Sequence, residues 1–173
     1  MSKRQSALIG LVFLAVFSRL LPHPWNWTAV GAASLFAGSR FERLGEALFI
    51  PLAALLISDL ILGFHSTMVF VYGAFALIVL AAWSCREWIR GWKIGAAALV
   101  SAVLFFLVSN FGVWLVGGFY SADLRGLWTC YVAGLPFLAS QAMGDLFYSA
   151  VLFGLWAQAE TRLPALAPPV RAD

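Results

Sequence analysis

Between residues 47 and 64 the chain reads ALFIPLAALLISDLILGF, a run in which Asp59 is the only charge. Coiled as a helix at ~1.5 Å per residue, such a run is close to the ~30 Å thickness of a bilayer's hydrocarbon core. Soluble folds have no use for it. The composition agrees: 62% of residues are hydrophobic and 11% charged, where soluble domains carry about 25% charged residues. Eight Trp and fifteen Phe supply the aromatic side chains that settle at headgroup level. The chain is therefore read as an all-α integral membrane protein.

Six apolar segments are expected, at about 6–22, 28–39, 45–63, 68–85, 94–117 and 135–158, in one bundle over 1–160. The second is short for a span, which implies a tilt or a union with the third across SRFERLG. GLWTCYVAG (126–134) reads as an interfacial or re-entrant piece ahead of Pro136, and 161–173 as a loose Pro-rich tail. The basic opening resembles a signal peptide but lacks a small-residue cleavage site after its apolar core, so it reads as the first span.

Lys and Arg set the sides. Lys3, Arg4, Arg40, Arg43, Arg86, Arg90, Lys93, Arg162 and Arg171 fall on one side, and only Arg19 and Arg125 on the other. The positive-inside rule makes this a six-transmembrane-helix bundle, N-in and C-in, with both termini in the cytoplasm.

That topology gathers the polar side chains at the outer face: Arg19, His23, Asn26, Asp59, His65, Asn110, Trp114, Tyr120, Asp123, Arg125, Gln141 and Asp145. The inner halves of the same spans are almost wholly Ala, Leu, Val, Ile and Phe. A carboxylate at membrane depth costs at least ~2.5–3.5 kcal/mol, so it faces the bundle interior and takes a partner. Arg19 is the natural partner for Asp59, and Asn110 and Gln141 also need hydrogen bonds. Together these residues describe an outward-facing polar pocket above an apolar plug.

Plainer readings stand beside this one. An Arg19–Asp59 pair alone locks two helices as readily as it binds a ligand. His23 between prolines and His65 near a helix end are more often loop residues than ligands. Trp25, Trp27, Trp88 and Trp92 suit the membrane interfaces. Cys85 and Cys130 are by default small apolar fillers. Ala29, Ala33 and Ala37 form a small-residue ridge, which is either internal packing or, if it faces outward, a docking groove for a partner helix.

No P-loop, HExxH, CxxC or GxSxG occurs, so the reading is of a protein that is not an enzyme and needs no cofactor or metal. No basic run suggests nucleic acid. The apolar inner half argues against a channel.

SRLLPHPWNWTAVGAASLFAG, ISDLILGFHSTMVFVYGAF and SNFGVWLVGGFY with GLWTCYVAGLPF and GDLFYSAVLFG resemble an uncharacterised family of small bacterial membrane proteins of the transport type. That family is similar to the S-components of energy-coupling factor (ECF) vitamin transporters. The resemblance implies a six-helix, N-in protein that binds a vitamin-like solute from outside, with an ECF transmembrane subunit and ATPases as partners. The closest analogy is with vitamin B12 S-components. It would give His23, Asp59 and Arg125 a role at cobalamin, with Cys130 a weak candidate thiolate for its cobalt. S-components carry an AxxxA ridge on the first helix, whereas here the ridge falls on the second segment.

Two functions follow. The first is a solute-binding and uptake protein. The alternative is a non-transporting membrane scaffold or assembly subunit in which the polar cluster only packs helices.

Overall fold

A computed structural model describes residues 2–166. Among them the regular structure is helical throughout: α1 (Lys3–Phe17), α2 (Val30–Arg40), α3 (Leu44–Leu62), α4 (Met68–Ser84), α5 (Lys93–Val116) and α6 (Leu124–Arg162), with short 3₁₀ turns at Ser18–Leu20 and Pro164–Leu166. Helices α3, α5 and α6 are long and apolar enough to cross a membrane, and α4 is a shorter apolar helix. Large side chains such as Leu14, Phe49, Val69 and Val100 stand exposed on the outside of the bundle, as lipid-facing groups do.

Local chemistry sets the helix ends. Ser2 and Gln5 form a reciprocal capping box that opens α1. Asp123 accepts the Gly126 N–H at 2.7 Å and opens α6. Gly63 closes α3 with a positive φ of 98°, a conformation that suits glycine, and its N–H bonds back to the Asp59 carbonyl.

The centre of the fold is α2. It packs against all five other helices, and every residue from Val30 to Ser39 is buried. Its sequence, VGAASLFAGS, permits this because small side chains let other helices come close. At Gly38 a Cβ would collide with the Val79 carbonyl of α4, and at Gly31 with the Asp145 carboxyl of α6. Larger residues hold its lower part, where Phe36 meets Phe153 and Trp156 edge-to-face.

Three sequence expectations need correction. The short second segment does not merge with the third, with residues 41–43 lying between the two helices. It is a buried helix about 16 Å long, with its backbone covered by protein. GLWTCYVAG is not a separate interfacial piece but the start of α6, which continues through Pro136 for 39 residues, about 58 Å. Pairing with α5 stabilises this extension: Tyr131 Oη donates to the Leu107 carbonyl at 2.8 Å, and Gly134 lies against Asn110. Finally, 161–166 is not loose. Thr161 and Arg162 belong to α6, Leu166 is buried, and Arg4 donates to its carbonyl. Residues 167–173, with Arg171, lie outside the described residues.

Candidate functional site

The segment between α1 and α2 builds one end of the bundle. Pro22 and Pro24 keep the chain extended, and it then descends along α6. Trp25 stacks on Phe137 at 6.0 Å, Ser140 Oγ donates to the Trp25 carbonyl at 2.5 Å, and Trp27 packs by Gly144 and Phe147. Asn26 turns this descent with φ 57°, a left-handed conformation that Asn tolerates better than most residues. Irregular backbone of this kind needs its polar groups covered by protein or open to a polar cavity.

Two adjoining cavities lie beside this segment. One, of about 310 Å³, is lined by Asn26, Ser109, Asn110, Tyr120, Cys130 and apolar neighbours including Ala133 and Phe137. The other, of about 180 Å³, is lined by Arg19, Asn26, Thr28, His65, Gln141 and neighbours. Asn26, Val71 and Phe105 line both. Seven of the residues singled out in the sequence thus meet here: Arg19, Asn26, His65, Asn110, Tyr120, Cys130 and Gln141.

Others of that set do not line these cavities. Asp59 is buried and fully engaged. Arg19 Nη1 lies 2.6 Å from Oδ1 and donates to Ser58 Oγ at 2.9 Å, while Tyr72 Oη donates to Oδ2 at 2.7 Å. This network ties the end of α1 to α3 and α4. His23 braces the descending loop, its ring nitrogens 3.1 Å from the Arg19 carbonyl and 2.9 Å from that of Pro24. Trp114 Nε1 donates to the Ser121 carbonyl at 2.9 Å and anchors the turn into α6. Arg125 is exposed on the first turn of α6. Asp123 is exposed too. The Gly126 N–H, helped by the Ser121 hydroxyl, holds its carboxyl below the usual carboxylate range.

Asp145 is fully buried, with no cation at ion-pair distance among the described residues. Gln141 Nε2 donates to Oδ2 at 2.9 Å. The carboxyl also sits on the first turn of α2, against Gly31 and beside the Ala32 N–H. Ala29, at the N-cap of α2, has no side chain to cap it. Asp145 therefore acts as a cap supplied by a neighbouring helix, where the positive end of the helix dipole favours a carboxylate.

The docking role for Ala29, Ala33 and Ala37 is overturned. All three are 0% exposed, enclosed by the other helices, and no partner helix can reach them. The ridge packs the bundle from within. The proposed cobalamin set also fails to gather: His23, Asp59 and Arg125 do not line these two cavities, and the Cys130 thiol points to the Asn110 carbonyl at 3.4 Å. The described residues hold no group of three or more His, Cys, Asp or Glu suited to a metal ion.

Sequence reasoning missed Tyr72, Ser58 and Gly31. Tyr72 was accessible in principle. A buried carboxylate has more lone pairs than one Arg fills, and Tyr72 is the sole hydroxyl in MVFVYGAFALIVL. The far end of the bundle holds an unpredicted cluster: Arg4 pairs with Glu160 at 2.6 Å and lies over Trp156, and Arg40 lies over Phe153.

Fold and site together define a class: an all-helical protein of membrane-type helices with polar cavities at one end. Within that class, the chain belongs to the family described as a family of unknown function, DUF6580, which it matches over residues 1–166. No curated protein and no solved structure matches it.

Proposed function

We propose that the protein is a membrane-embedded solute-binding and uptake protein, S-component-like in layout. In this reading six helices lie in a bacterial inner membrane with both termini cytoplasmic, and the Asn26–Asn110–Tyr120 end faces outward. The observation that carries the reading is the pair of adjoining cavities, which gathers polar side chains from α5, α6 and three connections. A bundle that only packed its helices would have no reason to leave Asn26, Asn110 and Tyr120 around open space.

The cavities also narrow the cargo. Their volumes lie at and below the lower end of the ~300–1,000 Å³ typical of small-molecule sites. The larger one has no charged residue in its lining. Asn, Ser and Tyr groups beside Phe105 and Phe137 suit an uncharged solute with a flat ring and hydrogen-bonding edges. A corrinoid is too bulky for this space. A vitamin-sized ring compound fits, and an acidic arm would find Arg19 in the smaller cavity.

The assembly-subunit reading draws on one specific observation, the Arg19–Asp59–Tyr72 network, whose carboxylate is satisfied within the chain. A thermal-shift screen of the detergent-purified protein against water-soluble vitamins, their ring precursors and cobalamin separates the two readings. Ala133→Phe, which fills the larger cavity, serves as the control. Stabilisation by one small compound, lost in Ala133→Phe, supports solute binding. If no compound shifts the wild type, the assembly reading takes over.

A further inference from the structure

At the end of the bundle opposite the solute cavities, α4 runs into WSCREWIRGWK (83–93), which turns the chain into α5. This stretch carries three cations, Arg86, Arg90 and Lys93, against one acid, Glu87, and so a net charge of +2. Trp88 and Trp92 stand exposed, as indoles at headgroup level do. The Arg86 guanidinium carbon lies 4.4 Å from the Trp83 ring centroid, and Lys93 Nζ lies 5.2 Å from that of Trp88. A guanidinium held over a ring still presents its N–H edge to an anion.

Two cavities adjoin here. One, of about 770 Å³, is lined by Trp83, Ser84, Cys85, Arg86, Glu87 and Trp88. The other, of about 140 Å³, is an apolar cleft between α4 and α5, walled by residues including Ile78, Ala81, Ala97, Val100 and Leu104. Cys85 and Trp88 line both. The cleft follows two helical turns, from Cys85 to Ile78 on one side and from Ala97 to Leu104 on the other, or ~10 Å along the helices. Ala81 and Val100 in its wall are exposed, so it opens on the lipid-facing outside of the bundle. A hollow in a cationic segment thus leads into an apolar slot that runs as an acyl chain runs.

We propose that these adjoining cavities form a site for one anionic phospholipid of the phosphatidylglycerol kind. Its phosphate sits at the Arg86 edge of the hollow, with Lys93 adding charge from over Trp88, and part of one acyl chain fills the cleft. Basic pockets between membrane helices take lipid headgroups in this way. Glu87 lines the same hollow, which disfavours a dianionic headgroup and suits one with a single phosphate charge and hydroxyls that can donate to a carboxylate. A choline headgroup has neither net charge nor hydroxyl, and a free phosphate would leave the cleft unused. A partner helix, ~10 Å across, is too wide for it. The site is remote from the solute cavities and stands or falls separately from the uptake reading.

The test follows the melting of the protein, purified free of lipid in a neutral detergent, as dioleoyl phosphatidylglycerol, phosphatidylcholine or phosphatidylethanolamine is added. Glycerol phosphate serves as the headgroup-only control. Saturable stabilisation by phosphatidylglycerol is expected. Its half-effect concentration should rise about thirtyfold in Arg86→Gln/Lys93→Gln, at about fivefold for each cation lost. Ala97→Leu narrows the cleft and keeps both charges, so it should also weaken the effect and reads out the site even if the charge variant folds poorly. Equal stabilisation by phosphatidylcholine or phosphatidylethanolamine would overturn the proposal. So would an effect of glycerol phosphate equal to that of the lipid, or a half-effect concentration unchanged in either variant.

Discussion

Replacing Arg19 with alanine strands a carboxylate. Asp59 has a side chain 2% exposed, and its Oδ1 depends on the guanidinium 2.6 Å away. Without Arg19, only the Tyr72 hydroxyl at 2.7 Å remains to compensate a full negative charge. Breaking a buried pair in this way costs about 3–5 kcal/mol. The Arg19 side chain is 19% exposed and draws some of its stabilisation from solvent, so the lower end applies. That is about 3 kcal/mol, or roughly a hundredfold in the folding equilibrium. Asp59→Asn should cost less, because the group left behind, Arg19, reaches the cavity and water. The double variant Arg19→Ala/Asp59→Asn should be more stable than Arg19→Ala alone, since it removes the stranded charge. Unfolding equilibria in mixed detergent, read as a double-mutant cycle, measure these terms. Equal and additive losses would refute the argument and show that the two groups do not depend on each other.

Further outcomes follow from other contacts. Gly31→Ala should destabilise by about 1–3 kcal/mol, as overpacking does, because its Cβ meets the Asp145 carboxyl; chemical denaturation should show partial recovery in Gly31→Ala/Asp145→Ala. Asp123→Ala should fray the first turn of α6, visible as faster amide exchange at Gly126 and Leu127. Because the folded carboxyl is held below its ordinary range, its stabilisation is present above that range and fades as the pH falls through the lowered value. In sealed right-side-out vesicles, a membrane-impermeant maleimide should label Ser121→Cys in a Cys85→Ser background. In the wild-type protein the same reagent should spare Cys85, which is exposed at the opposite end; the reverse pattern would invert the proposed orientation.

Much of the architecture was legible because apolar runs and their breaks carry it. The helix start at Met68 and the stop at Gly63 fall where the apolar runs begin and break in the chain, and α5 opens at Lys93, one residue before its expected start. The Arg19–Asp59 pairing was legible too, since a lone carboxylate in an apolar run demands a cation and few are near. What stayed hidden depends on tertiary contact. Nothing in VGAASLFAGS alone says that it is enclosed on all sides, so the Ala29–Ala33–Ala37 ridge read equally as an outward groove. The helical continuation of GLWTCYVAG through Pro136 was masked by the usual reading of proline as a break, whereas pairing with α5 outweighs it. The capping role of Asp145 was invisible because its partner is the backbone of another helix, more than a hundred residues away in sequence.

The most direct test of a solute site at this end is isothermal titration of the compound that stabilises the protein most, into wild type and Ala133→Phe. The account predicts saturable binding at one site per chain in the wild type and none in the variant. Equal binding by both proteins, or uptake at many equivalent sites, would contradict it.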